Sequence, residues 1–192
     1  MKFRTAVRRS TVIIVILIAA VCIGYAYSIF GDRMDIKNHP REFAEYVEKY
    51  AAEYGIPEYV VYGVMAVESD FQSNVVSDDG RIGLMQLDAG TYAWIGALLG
   101  QTAESGILYD PETNIRCGTY LLAFLYTEYG NWRTALTAYE AGRAEVDLWL
   151  ADSANYDGDE FVPPDGELAN KVERMEEKIE KYRTLYYSNL KN

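Results

Sequence analysis

Histidine is almost absent from the sequence: His39 stands alone, and only two cysteines, Cys22 and Cys117, accompany it. Cys/His and Ser/His nucleophilic pairs therefore lack their parts, as do zinc sites built from those ligands. Cys22 falls in an apolar run and Cys117 in an expected helix, so no disulfide is expected and the fold must stand on its core. There is no glycine-rich phosphate loop, no internal repeat, no low-complexity tract, and no alternation long enough to require a sheet. Positive charge is scarce too, with 18 Lys+Arg against 29 Asp+Glu in 192 residues. Setting aside Lys2, Arg4, Arg8 and Arg9 leaves 14 bases against 29 acids, a net of −15. That balance argues against nucleic acid or anionic lipid as the main ligand and fits a neutral polymer or a cationic partner better. No metal or cofactor is expected.

What is present at the N-terminus reads as membrane-directed. The four cations precede "TVIIVILIAAVCIGYAYSIF", an uncharged run over residues 11–30 that approaches the ~20 residues needed to span a bilayer. The positive flank stays cytoplasmic, so the rest of the chain should be exported. The expectation is a single-pass cell-membrane protein: residues 1–30 form the cytoplasmic N-terminus and a transmembrane signal anchor, and residues 31–192 form one extracytoplasmic domain. A cleaved signal peptide is the alternative, with Gly24 and Ala26 as small residues near a cleavage site; Cys22 raises a lipoprotein reading, which Val21 disfavours. With 49% hydrophobic residues in the whole chain, the part after residue 30 suits one core of ordinary size.

The rest of the chain is punctuated as helices. "NHPREFAEYVEKYAAEYGIP" has Asn38 and Pro40 as start signals, apolar residues at Phe43, Val47, Tyr50 and Tyr54, and Gly55 with Pro57 as the stop. "PEYVVYGVMAVES" is apolar nearly all round, as in a central buried helix. After the turn-rich "NVVSDDGRIG", "LMQLDAGTYAWIGALLG" resumes a helical pattern with Thr91 as a cap. Asp110 and Pro111 open the next helix, Gly130 closes it, and Asn131 caps a short one after it. The acidic "ADSANYDGDEFVPPDG" reads as a surface loop or flap. The last segment repeats Leu168, Val172, Met175, Ile179, Tyr182 and Tyr186 at steps of three and four, a stripe that packs on the domain or pairs with a partner. The expected fold class is all-α.

Carboxylates are what remain for chemistry. "VYGVMAVESDF" places Glu68 at the C-terminal end of an apolar helix, on the face of Val61 and Val64. Apolar burial and the negative end of the helix dipole both favour the neutral acid, which raises its pKa and makes it a proton donor. A lone glutamate at a helix end is more often a surface group or a structural hydrogen-bond partner, so the neighbours must decide.

Four ordered blocks do so: "ESDF" with Glu68, Ser69 and Phe71; "NVVSDDGRIGLMQL" with Asn74, Ser77, Gly80 and Gly83-Leu84-Met85-Gln86; "LYDPETNIRCGTYLL" with Asp110, Pro111, Asn114, Ile115, Gly118 and Leu121; and "ALTAYEAG" with Ala138, Tyr139, Ala141 and Gly142. From about Phe43 to Tyr186 the chain resembles the lytic transglycosylase domain of the soluble-lytic-transglycosylase type, a relative of goose-type lysozyme. The resemblance implies a lysozyme-like helical bundle around a groove, peptidoglycan glycan strands as substrate, and cleavage of the β-1,4 bond between N-acetylmuramic acid and N-acetylglucosamine. It implies that Glu68 is the catalytic acid, that Ser69 and Gln86 lie near the reacting sugars, and that Tyr139 helps hold Glu68. With one carboxylate, Glu68 would protonate the leaving oxygen and then take the proton of the muramyl 6-hydroxyl, leaving a 1,6-anhydro ring. Gln86 offers both donor and acceptor to an N-acetyl group. Gly83 would let backbone approach either the sugar or the next helix, and Met85 either lines the groove or sits in the core.

The chain departs from the family pattern at Ser73 and Ala89, where prolines are common, and at Glu140, where the fourth block usually has Asn. Pointing into the cleft, Glu140 adds a second carboxylate beside Glu68; pointing outward, the preferred reading, it changes nothing. A hydrolytic muramidase using Glu68 with a second acid among Asp70, Asp78, Asp79, Asp88 and Glu140 is the rival enzyme, and a non-catalytic wall-binding or assembly protein is the rival outside enzymes. The anchor, the acidic loop and the last helix together suggest a partner in an envelope-spanning machine.

Overall fold

Glycines and capping side chains set most helix boundaries where the sequence puts them. The computed structural model of the chain describes residues 17–26, 31, 33–100, 105–157 and 160–188. The chain divides into two compact units, Met1–Pro40 and Arg41–Asn192. In the second, the order is α1 (Ala44–Tyr54), α2 (Glu58–Glu68), α3 (Ala89–Leu98), a 3-10 turn (Ser105–Tyr109), α4 (Pro111–Tyr129), α5 (Trp132–Ala141), α6 (Arg143–Leu150), a short antiparallel pair β1 (Tyr156–Asp157) and β2 (Glu160–Phe161), and α7 (Gly166–Tyr186). The class is all-α, as expected.

The expected membrane anchor is corrected. Among the described residues no helix is long and apolar enough to cross a membrane. Within residues 11–30 the described helical stretch is 17–26, about 15 Å at ~1.5 Å per residue, half of the ~30 Å hydrocarbon core. Residues 11–16 and 27–30 lie outside the described residues. The transmembrane helix, the membrane as a partner and the single-pass cell-membrane localisation are therefore not supported.

Several boundaries moved for local reasons. Helix α1 starts at Ala44, after a left-handed Phe43 (φ 56°) that makes no side-chain cap, rather than at Asn38 or Pro40; Gly55 closes it in the left-handed conformation as expected. Residues 84–87 do not join the next helix. They form a tight loop, because Asp88, not Thr91, caps α3 by accepting from the Gly90 and Thr91 amides. Asp110, Asn131 and Asp165 cap α4, α5 and α7 in the same way, each such cap contributing about 1 kcal/mol.

Helix α2 is the central rod: Val60 through Met65 are all buried. Its main neighbour is α7, whose Val172, Met175, Ile179 and Tyr182 are buried, so the stripe of the last segment packs on its own domain. The two helices meet without a side chain between them at Gly63, where an added Cβ would lie 2.4 Å from Ile179 Cγ1 and 2.8 Å from its backbone nitrogen. Tyr62 stacks on Tyr182 beside this contact, with ring centroids 5.3 Å apart. Gly63→Ala is therefore expected to separate α2 from α7, costing roughly 1–3 kcal/mol by overpacking. Thermal melts of the two proteins check this, and an unchanged Tm would mean that the helices move apart freely. The contact fixes how far the C-terminal end of α2, with Glu68, lies from α7.

Candidate active site

Three segments far apart in sequence converge on the end of α2. Glu68 is the last residue of that helix, and its side chain is 2% exposed. Glu140, near the end of α5, is 5% exposed and faces the same interior. Between them stands Lys171 of α7, with Nζ 2.9 Å from Glu68 Oε1 and 2.8 Å from Glu140 Oε2. Arg81, from the loop after α2, donates from Nη1 to Glu140 Oε2 and from Nη2 to the Glu140 carbonyl, both at 2.8 Å. Asp79 sits on the outer side of that guanidinium at 3.0 Å.

The outward orientation preferred for Glu140 is thus not the one adopted. Position 140 is one residue before the end of α5, beside Tyr139, and two cations draw its carboxylate inward. Of the other acids considered as partners for Glu68, Asp88 is committed to the cap of α3 and Asp79 to Ser77 and Arg81. Glu140 alone of that set shares a cation with Glu68 among the described contacts.

The electrostatics follow from this crowding. Burial, and then the hydrogen bond and repulsion with Glu140, push the Glu68 carboxyl up to about 8 against a smaller opposing pull from Lys171. Burial resists ionisation of Glu140 as well, but the hydrogen bond with Glu68 and the Lys171 and Arg81 cations outweigh it and hold Glu140 below the usual carboxylate range. The pair therefore titrates as a unit and holds one proton near neutral pH, with Glu68, the carboxyl that burial and Glu140 push up, favoured as its carrier. A buried neutral carboxylic acid beside a groove is a general acid in waiting.

The remaining expected site residues build the frame around this pair. The loop of residues 83–87 is pinned from three sides. Ser69 Oγ donates to the Leu84 carbonyl at 2.8 Å, Tyr139 Oη donates to the Met85 carbonyl at 2.6 Å, and Asn114 Oδ1 accepts from the Met85 amide at 2.8 Å. Ser69 and Tyr139 are both buried, and burial pushes the Tyr139 phenol well above its ordinary range, so it remains a donor. Gln86 turns through a left-handed backbone (φ 48°) and donates Nε2 to the Gly83 carbonyl at 2.7 Å. Met85 is fully buried against Gly118, which places it in the core. Gly83 makes its close approach to Asn114 and the Leu108 carbonyl, so its need is for packing.

A cleft of about 380 Å³ runs beside this frame, lined by Arg81, Gln86, Thr91, Trp94, Tyr139 and Glu140 among others. A second cleft, of about 800 Å³, continues past Arg81, Glu140 and Ala141 to Trp149, Leu168 and Lys171. The shared residues Arg81, Glu140 and Ala141 make the two halves one groove passing over Glu140, with an indole, Trp94 or Trp149, on each side; Glu68 lies beneath its wall, 2.9 Å from Lys171 Nζ. Sequence reasoning missed Arg81 and Lys171. Both look like ordinary surface charges, although Lys171 stands four residues before Met175, beside the apolar stripe of α7.

Comparisons with known proteins agree with this geometry. The sequence model of the family described as "Transglycosylase SLT domain" matches residues 45–162. The chain is 34% identical over 118 residues to a soluble lytic murein transglycosylase of Escherichia coli K12, covering 60% of this chain and 18% of that protein. It is 36% identical over 102 residues to membrane-bound lytic murein transglycosylase C of Haemophilus ducreyi, covering 52% of this chain and 27% of that protein. The crystal structure of the 70 kDa soluble lytic transglycosylase from Escherichia coli superposes with a TM-score of 0.73 at 30% identity, over 80% of this chain and 26% of that one. The chain thus spans well under a third of the length of these relatives.

Proposed function

Because the chain belongs to the transglycosylase SLT domain family, we propose that it is a peptidoglycan lytic transglycosylase acting through Glu68. The observation that carries this reading is the state of Glu68: a buried carboxyl, neutral near pH 7, in contact with Lys171 and Glu140, which line a groove that also carries indoles and hydrogen-bonding groups.

In this mechanism a glycan strand lies along the groove with a muramyl–glucosaminyl bond over the carboxyl pair. Glu68 donates its proton to the leaving glycosidic oxygen as the bond to the anomeric carbon breaks. The resulting carboxylate then takes the proton of the muramyl 6-hydroxyl, whose oxygen closes on that carbon and forms the 1,6-anhydro ring. Water is not consumed, and the acid returns to its starting state. The substrate's N-acetyl group stabilises the developing positive charge, and Gln86, Trp94 and Trp149 are the groups available to hold the sugars. General acid catalysis supplies about 10²–10⁴ in rate, and positioning supplies much of the rest.

The inward Glu140 favours a second reading, hydrolysis by two carboxylates, since a retaining or inverting glycosidase needs that pair. Against it stands the occupation of Glu140 Oε2 by both Arg81 and Lys171, which makes this carboxylate a weak base toward water. The products discriminate. Mass spectrometry of purified peptidoglycan digested with the full chain is expected to show anhydro-muropeptides. Reducing-end muropeptides would instead assign Glu140 as a base, and no release by a folded protein that binds glycan would leave the groove a binding site.

A further inference from the structure

Two buried carboxyls that share one ammonium can hold their single proton on either side, and only one of those arrangements leaves a working acid. The geometry is asymmetric in a way that decides the matter. Glu140 meets two cations, Lys171 Nζ and Arg81 Nη1, both at 2.8 Å on its Oε2, while Arg81 also grips its backbone carbonyl. Glu68 meets one cation, Lys171, at 2.9 Å. Among the described residues Glu68 Oε1 and Glu140 Oε1 are both buried without a hydrogen-bond partner, so one proton shared between the two carboxyls satisfies both, and the two cations on Glu140 leave it with Glu68.

We propose that Glu140 and Lys171, braced by Arg81, are a matched pair of positioning residues whose opposite charges oppose each other at Glu68, so that the proton rests on Glu68 and Glu140 remains the anion. Neither touches the substrate in this role. Each is harmful without the other. Lys171 alone beside Glu68 would draw out the proton and leave an ion pair in place of an acid. Glu140 alone would compete for that proton and hold it more tightly on the pair. The charged and titratable groups facing Glu68 are Glu140 and Tyr139 from α5, Lys171 from α7 and Arg81 from the loop, with Asp79 behind Arg81. Tyr139 stays neutral across the working range, so the balance rests on the other four.

This deepens the transglycosylase reading and rests on it, but its test does not need turnover. The midpoint of the Glu68 side-chain carboxyl can be followed by carbon-13 NMR of the labelled full chain, beside the pH profile of muropeptide release. Glu140→Gln is expected to lower that midpoint by a unit or more, because Lys171 then acts unopposed, and to move the basic limb of activity down with it. For a one-unit shift, release should fall roughly threefold at pH 7.5 and approach tenfold above about pH 8.5 on that ground alone. Lys171→Met is expected to move the midpoint up. The double variant Glu140→Gln/Lys171→Met should return it toward the wild-type value and restore release at pH 7.5, a non-additivity that a merely structural role does not produce. Lys171→Arg should keep the wild-type profile. An unmoved Glu68 midpoint in Glu140→Gln, or a double variant as displaced as that single one, would overturn the proposal. If Glu140→Gln does not fold by circular dichroism, Lys171→Met decides alone, with an upward midpoint in support and an unmoved one against. Should the wild type release nothing, the NMR midpoints still decide the charge pairing, and only the reading of the reaction fails.

Discussion

Glu68→Gln is expected to abolish release of muropeptides while making the protein more stable. The loss should reach at least about 10³-fold, toward the upper end of what a general acid contributes, because an amide can neither donate the proton to the leaving oxygen nor take one from the 6-hydroxyl. The gain in stability has the opposite origin. In the unfolded chain Glu68 ionises near its ordinary 4.5, whereas in the folded protein it does so only at about 8. Between those values the unfolded state binds fewer protons than the folded one, so this group makes folding progressively less favourable as pH rises. The effect is absent below about pH 4.5 and complete above about 8. Gln keeps the hydrogen bond to Glu140 without that penalty. Near pH 7.5 the variant should be more stable by roughly 2–3 kcal/mol, which in a domain of this size raises Tm by about 5–10 °C. Melting both proteins from pH 5 to pH 9 checks the claim: the difference in Tm must widen with pH. A constant difference would mean that Glu68 ionises in the folded protein as it does in water.

The opposite outcome is expected of Gly83→Ala, which should lose both stability and activity. Gly83 holds φ at +83°, a conformation that side chains rarely adopt, and its missing Cβ would fall 2.4 Å from Asn114 Nδ2 and 2.6 Å from the Leu108 carbonyl. Nothing there can yield cheaply. Asn114 is buried and satisfied on every side, with Nδ2 donating to the Ile82 and Leu108 carbonyls at 2.9 Å and Oδ1 accepting the Met85 amide. Displacing it strands several polar groups, each at a cost of about 1–3 kcal/mol, on top of about 1 kcal/mol or more of backbone strain. A loss of roughly 3–5 kcal/mol is expected, a large part of the ~5–15 kcal/mol of a typical domain. Denaturant unfolding measures it, and the surviving folded fraction should cleave slowly because residues 83–87 carry Gln86 and receive Ser69 and Tyr139. A variant with wild-type stability would show that the loop can shift as a unit.

Much of this architecture was legible because it is written in local signals. Gly55, Asp110, Pro111, Gly130 and Asn131 end or begin helices where their backbone and side-chain chemistry says they must, and the stripe from Leu168 to Tyr186 marks a packed face. The unreliable signals were those a competing interaction overrode. Asn38 and Pro40 suggested a start that the left-handed Phe43 delays. The apolar Leu84 to Leu87 looked helical but is held as a loop by Ser69, Asn114 and Tyr139, residues up to 54 positions away. The uncharged N-terminal run promised a span, yet composition does not establish a continuous helix.

For this protein the sequence by itself determined the helical class and the four motif blocks, and through those blocks singled out Glu68 as the candidate acid, because hydrophobic period, caps and short motifs are properties of neighbouring residues. Only the tertiary structure decided where Glu140 points, and that Lys171 and Arg81 meet it there. Those charges lie 31 and 59 residues from Glu140, and which of two buried carboxyls keeps a proton depends on distances of about 3 Å that no local pattern encodes.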